Sequence, residues 1–280
     1  MGEDIQVSVI IPSKGGEYLE YTLKSLAKQT VKPDEVIIVL KDCNIEKIES
    51  ISNKLGLNCI IEEQKKGYFT HALNIGLNLA SGEIILFTDD DVITPNEWIE
   101  QYIKQFSSYP EKVGSISSRD IYYDLSTKKT IKTPDDYLYI KLYRLFVRPI
   151  IDPPHPKLKK YKLGSYISKK YKFVFGRGIP NKVCYSLPFR GVNMAFRREA
   201  IEDLKFIEHK ELKRGFRNEQ HFGVQLILRG YDSIYVPNNF VYHIVRKSLS
   251  RVSRIEKKQL MKEEEIVRRE IIKLLEGKVR

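Results

Sequence analysis

Val7-Ser8-Val9-Ile10-Ile11 is almost entirely apolar and is followed by Pro12, the pattern of a short strand buried on both faces and stopped by proline. From Tyr18 to Gln29 the apolar residues Leu19, Leu23, Leu26 and Ala27 fall at helical spacing. A second apolar run, Glu35 to Leu40, enters through Pro33-Asp34, and Ile45 to Leu55 returns to the helical period. Gly56 stands where a helix C-terminus favours glycine. Cys59-Ile60-Ile61-Glu62 predicts a third strand, and 70–80 a helix closed by Ser81-Gly82. Glu83 to Phe87 predicts a fourth strand. Apolar strands alternating with amphipathic helices predict an α/β fold, a mostly parallel sheet with helices on both faces.

Beyond Ile93 the pattern loosens. Pro95 to Phe106 predicts a helix with proline in its first turn. Residues 134–190, rich in Pro, Tyr and Lys, show no sustained period and read as an irregular insertion with a mobile or partner-dependent part. Helices are expected again at 197–203 and 219–228, a strand at 234–236, and a long charged helix from Ser253. The expected organisation is one domain over 1–245, with halves 1–106 and 107–245, followed by a helical tail over 246–280.

Charge changes this picture. The chain of 280 residues carries a net +12. Lys141 to Lys182 holds twelve basic residues and one acid, and 246–280 twelve basic residues and six Glu, which leaves about −5 for the remainder. A basic insertion and tail on a mildly acidic body point to a polyanionic partner: an anionic membrane surface, a lipid phosphate or a nucleic acid. A solvated Lys-rich surface is the plainer reading. In the tail, Ile255, Leu260, Ile266 and Ile271 to Leu275 form a rough stripe that suits either membrane docking or a homodimer through the C-terminal helix. Three Cys without a CxxC pair suit a reducing compartment. With no secretory signal pattern and no apolar run of about 20 residues, the chain reads as cytoplasmic, at most peripheral at the inner face of the membrane.

The sharpest chemical feature is Asp89-Asp90-Asp91 at the end of an apolar strand. Three adjacent carboxylates repel one another unless a cation offsets them, and a hard divalent ion such as Mg²⁺ or Mn²⁺ does so while also taking phosphate oxygens. In extended chain Asp89 and Asp91 share one face and Asp90 takes the other. An acidic turn capping the next helix is the structural alternative. Two other strand ends carry polar groups, Pro12-Ser13-Lys14 and Lys41-Asp42. In a parallel sheet ligands bind beyond the carboxyl ends of the strands, where all three would converge.

VSVIIPSKG, EVIIVLKD and ALNIGLNLASGEIILFTDDDV, in this order and spacing over the first 100 residues or so, resemble the nucleotide-binding half of family 2 glycosyltransferases, inverting enzymes of the GT-A fold. The resemblance implies that Pro12, Ser13 and Lys14 lie at the nucleotide, that Asp42 contacts base or ribose, and that Asn74 belongs to the nucleotide side. It places Asp89 and Asp90 near ribose and diphosphate, and Asp91 with Asp89 on the metal. Lys41 stands where the family commonly has Asp, and Lys14-Gly15 where Tyr-Asn is usual. Further on, Phe189 to Arg197 (FRGVNMAFR) looks like the segment that lines the acceptor side, which implies roles for Arg190, Gly191 and Asn193. Asn218-Glu219-Gln220-His221 stands where the family reads GEDxDL, and counting back from Gly230-Tyr231 aligns Glu219 with the catalytic base. His243 stands where several relatives complete the metal site. The implied reaction moves a sugar from a UDP-, GDP- or TDP-sugar to a hydroxyl of a glycan or lipid-linked acceptor. Two rivals are a nucleotidyltransferase, faintly echoed by SKGGE at 13–17, and a non-catalytic polyanion-binding protein. Nucleic acid finds no recognised motif.

Overall fold

The computed structural model describes residues 5–176, 179–245 and 254–277. The first basic residues of the tail (Arg246, Lys247, Arg251), the expected 245/246 domain boundary and the start at Met1 lie outside the described residues.

The first half follows the apolar pattern closely. Strands β1 (Val7–Ser13), β2 (Glu35–Leu40), β3 (Cys59–Glu63) and β4 (Ile84–Phe87) alternate with helices α1 (Leu19–Leu26), α2 (Ile45–Leu55) and α3 (Phe69–Leu79). β1, β2 and β4 are buried along their whole length, which is why they show no alternation of polar and apolar residues. Gly56 ends α2 in the left-handed conformation, φ +65°, and Asn44 caps its start by accepting the Lys47 N–H. β1 runs past Pro12 to Ser13. On one side β4 has already ended, since its pairing stops at Ile10 opposite Phe87, and a proline is tolerated where a strand has lost a neighbour.

β1 pairs in parallel with both β2 and β4, and β3 lies outside β2. The chain therefore builds to one side of β1 and then crosses to the other. That reversal opens a crevice at the carboxyl ends of β1 and β4, where Ser13 and the three Asp are found.

β5 (Val92–Ile93) follows the Asp cluster. The next helix, α4 (Trp98–Ser108), begins after Pro95, whose carbonyl accepts the Trp98 N–H in the turn that precedes it. Three further strands, β6 (Val113–Ser117), β7 (Asp120–Asp124) and β8 (Lys129–Ile131), were not expected, because segments this short leave no measurable period. The 134–190 region is also more ordered than expected. It contains α5 (Leu138–Leu142), a π-helical turn (Tyr143–Val147), α6 (Arg148–Ile151) and strands β9 (Ser165–Ile167), β10 (Phe173–Phe175) and β11 (Cys184–Tyr185).

β12 (Met194–Arg197) enters the main sheet antiparallel between β4 and β6. α7 (Arg198–Ile201), α8 (Asn218–Leu228), β13 (Asp232–Tyr235), β14 (Val241–Ile244) and α9 (Arg254–Leu275) complete the chain. The eight-stranded sheet runs β11-β13-β6-β12-β4-β1-β2-β3, and a smaller sheet runs β5-β14-β7-β8. Apolar clusters cover the main sheet on both faces, one with Trp98 and Tyr102, the other with Phe87, Phe196 and Phe222.

A third cluster joins Leu158, Tyr161, Tyr166 and Ile167 of the basic region to Val267, Ile271 and Leu275 of α9. Ile266, Ile271, Leu274 and Leu275, the C-terminal part of the stripe that suggested a dimer helix, thus pack into this cluster. The acids of α9 are also engaged. Glu263 is fully buried and accepts the backbone N–H groups of Arg214 and Phe216, while Glu264 pairs with Arg217 at 3.1 Å. The helix braces the loop that leads into α8.

Because α9 belongs to the core, Ile271→Ala is expected to destabilise the protein by about 2–5 kcal/mol in urea unfolding. Met261→Ala, on the exposed side, should change stability by no more than ~0.5 kcal/mol. Equal, small effects would return α9 to the role of a free appendage.

Candidate active site

The Asp cluster sits just past β4, where the Thr88 N–H donates to the Ile10 carbonyl and keeps the segment beside β1. The chain turns at Asp90 and Asp91, so that Asp90 reaches one set of partners and Asp89 and Asp91 another. Asp90 turns toward β1 and accepts the Ser13 hydroxyl at 2.6 Å, and Ser13 Oγ in turn accepts the Gly15 N–H. Asp91, buried, faces His243, whose Nε2 lies 3.3 Å from Oδ1. Asp89, Asp91 and His243 each present a ligand atom, and these atoms lie within 4.8 Å of one another.

The juxtaposition with His243 comes from strand pairing. β5 continues directly from Asp91, and β14 pairs with it so that His243 stands opposite Val92, while the Ile244 N–H donates to the Asp91 carbonyl at 2.8 Å. β7 flanks β14 on its other side and supplies Asp120, whose Oδ2 lies 2.9 Å from His243 Nδ1. Asp120 also meets Arg190 Nε at 3.1 Å. A carboxylate behind a metal-facing imidazole fixes the ring's orientation and tautomer. Sequence reasoning missed Asp120, because only the β7–β14 pairing brings it within reach.

Burial alone would push His243 down. The hydrogen bonds with Asp120 and Asp91 outweigh it and hold the imidazole well above its ordinary 6.5. For Asp120, burial raises the carboxyl, but His243 and Arg190 bring it below its usual value.

A cleft of about 410 Å³ opens over the cluster. One wall is Pro12, Ser13 and Lys14, and the floor includes all three Asp and His243. Gln64, Tyr68, Phe69 and Ala72, together with Lys41, also line the cleft, and the sequence pattern does not single them out. Lys41 donates to the Gly67 carbonyl, and its ammonium lies 5.4 Å from the centre of the Tyr68 ring. Lys213 and Arg214, the latter paired with Glu256 of α9, also line the cleft, on the loop that α9 braces. Gly215 makes the turn behind them at φ +65°. A Cβ there would fall 2.8 Å from the Phe69 ring, so glycine is required by both conformation and space.

The remaining expected residues divide. Asp42 ends up exposed in left-handed backbone, φ +57°, just past β2. Asn74 lies outside the cleft lining: its amide donates to the Phe206 carbonyl and to Glu208 and accepts the Phe206 N–H, tying α3 to that loop. Asn193 is fully buried and has all its hydrogen bonds inside the protein. It accepts from Trp98 Nε1 and the Tyr102 hydroxyl and donates to the carbonyls of Arg119 and Asn239. These bonds hold the approaches to β7 and β14, the strands that bear Asp120 and His243. Arg190 bridges Asp120 and Asp135, and Gly191 borders open space. Glu219 lies in the first turn of α8. Burial raises its carboxyl, and Arg217, Gln220 and Arg190 offset this only in part.

The profile of "Glycosyl transferase family 2" matches residues 8–204, well over half of the chain. Poly(ribitol-phosphate) beta-N-acetylglucosaminyltransferase TarS of Staphylococcus aureus is 34% identical over 93 residues, 31% of this chain and only 16% of the relative's length. Among solved structures, the mannosyltransferase PcManGT from Pyrobaculum calidifontis, in complex with GDP-Man and Mn²⁺, superposes over 98% of this chain and 74% of its own (TM-score 0.56, 18% identity). S. aureus TarS 1-349 with UDP-GlcNAc superposes over 94% of this chain and 66% of its own (TM-score 0.56, 17% identity). At these identities the structures establish the fold, which is GT-A.

The His243 site has a testable pH signature. A raised imidazole pKa contributes stability that is fully present below about 6.5 and is lost as pH rises through the folded value. In the metal-free protein, His243→Ala is expected to cost on the order of 3 kcal/mol near pH 6 and progressively less toward pH 9 in equilibrium unfolding. A gap that does not change with pH would show that the imidazolium is not what holds Asp91 and Asp120 together.

Proposed function

The chain belongs to glycosyl transferase family 2, and from that premise we propose that it is an inverting enzyme that moves a sugar from a nucleoside-diphosphate donor to a hydroxyl acceptor. The observation that carries this reading is the convergence of Asp89, Asp91 and His243 in a cleft that Ser13, Asp90, Lys213 and Arg214 also line.

Two hard carboxylates and one borderline imidazole form a mixed oxygen and nitrogen donor set, which can take Mn²⁺ or Mg²⁺. Asp89, Asp91 and His243 would hold the ion, and it would supply charge stabilisation to the leaving diphosphate. His243 must give up its proton to serve as a ligand, and Asp120 then remains to orient the ring through Nδ1. Mn²⁺ accompanies GDP-Man in the Pyrobaculum structure, which supports the same pairing of ion and donor here.

The nucleoside would lie along Pro12, Ser13 and Lys14, with Tyr68 as an aromatic shelf for the base and Lys41 beside it. UDP-, GDP- and TDP-sugars are the candidate donors. Lys213 and Arg214 would meet diphosphate charge in the cleft.

Glu219 is proposed as the general base. Its raised pKa makes it a stronger proton acceptor than an ordinary carboxylate, and its place in the first turn of α8 follows directly on the loop that bears Lys213 and Arg214. It would take the proton from an acceptor hydroxyl as that oxygen attacks the sugar carbon from the side opposite the diphosphate. Arg190, which acts electrostatically on both Asp120 and Glu219, links the metal-holding and proton-accepting sides. The acceptor is proposed to be a glycan or lipid-linked hydroxyl.

Calorimetric titration of UDP, GDP and TDP with Mn²⁺ and with EDTA tests the donor site. One nucleotide is expected to bind only with metal, and Asp91→Ala to abolish that binding. Glu219→Gln should leave nucleotide binding intact, lower transfer by about 10²–10⁴-fold, and remove the acid limb of the pH–rate profile. Failure of every nucleoside diphosphate to bind in the presence of metal would overturn the reading.

A further inference from the structure

The helical segment 138–151 is turned inside out for a protein in water. α5, the π-helical turn and α6 form one continuous helix, since the junction residues Tyr143 and Arg148 keep right-handed helical backbone. Apolar residues recur in pairs every four positions, and these pairs are the exposed ones. Leu138 is 70% exposed, Tyr139 66%, Phe146 63% and Ile150 81%, and Leu142 and Ile151 are also open. The arginines face inward. Arg144 pairs with Asp135 at 2.8 Å and lies over the Phe175 ring, and Arg148 pairs with the buried Asp152. An apolar face this long and continuous is more than the scattered single hydrophobics of an ordinary surface.

Its surroundings identify what covers it. Lys132 is exposed just before the helix. At the other end Lys169 and Lys170 are exposed in a turn whose backbone is joined to the helix exit, the Lys169 N–H donating to the Pro153 carbonyl. An apolar helix face with lysines at both ends is the arrangement that seats a helix in the interface of an anionic bilayer, with the side chains in the acyl boundary and the ammonium groups at the headgroups. A second copy of the chain fits poorly, because a two-fold contact through this face would set the same lysines near one another.

We propose that helix 138–151 is a membrane-docking face that inserts Leu142, Phe146 and Ile150 into an anionic lipid surface. The face is tied to the catalytic cleft by a ladder of ion pairs, Arg144–Asp135–Arg190–Asp120–His243. The docking itself does not depend on the transferase reading.

The full chain is sedimented with phosphatidylcholine vesicles and with vesicles that also contain phosphatidylglycerol. Binding is expected only to the anionic vesicles and should weaken with salt. Phe146→Ser with Ile150→Ser should lower it about tenfold or more while circular dichroism stays unchanged, because both side chains are exposed. Phe146→Trp should show a blue-shifted emission on vesicle addition, against the constant background of the single native Trp98, which is buried. Three results would each overturn the proposal: unaltered binding of the double-serine variant, no spectral shift at position 146, or self-association through this face without vesicle binding. None of these readouts uses sugar transfer, so the docking face and the transferase reading stand or fall separately.

Discussion

Three carboxylates in succession at the end of a buried strand repel one another, and the architecture around β4 is organised to offset that repulsion. A turn at Asp90 and Asp91 sends their carboxylates to different partners. Asp90 is met by the Ser13 hydroxyl from the neighbouring parallel strand. Asp91 is met by His243 from a strand more than 150 residues later in the chain, and Asp120 and Arg190 extend the alternation of charge behind it. Each partner comes from a different element, so the cluster is tolerable only when the main sheet and the smaller sheet are both assembled. A divalent cation fits the same arrangement because it is already built for positive charge.

The most distant part of the chain also serves this site. α9 is acidic where it meets the body and apolar beneath, and its buried Glu263 holds the backbone of the loop that offers Lys213 and Arg214 to the cleft. Counted as charge, the tail is simply basic. As structure, Glu256, Glu263 and Glu264 reach the body, while many of the basic residues face water. Asn193 is a comparable case. The segment that resembles an acceptor lining has an amide at its centre whose hydrogen bonds all go inward, to Trp98, Tyr102 and the chain entering β7 and β14. Its influence on the site is exerted through the strands it pins.

The first ninety residues were legible almost element by element, because strands buried on both faces and helices with one buried face leave strong, different periods in the sequence. The 134–190 region was not. Its strands are two or three residues long, and its helix carries apolar residues outward and arginines inward, so the usual relation between pattern and burial is reversed. Pro12 and Pro95 misled in a smaller way: one lies inside a strand that has lost a neighbour, the other in the turn before a helix.

The sequence by itself determined the alternating α/β order, the crevice at the ends of β1 and β4, and the carboxylate cluster placed there. These follow from local periodicity and from chemistry concentrated in a few adjacent residues. Only the tertiary structure decided that Asp120 stands behind His243, that Asn74 and Asn193 are ties within the scaffold, that Lys213 and Arg214 line the cleft, and that α9 is core. Those outcomes depend on strand register and on contacts between segments far apart in the chain, and a side chain's partner across such a distance leaves no mark on the residues beside it.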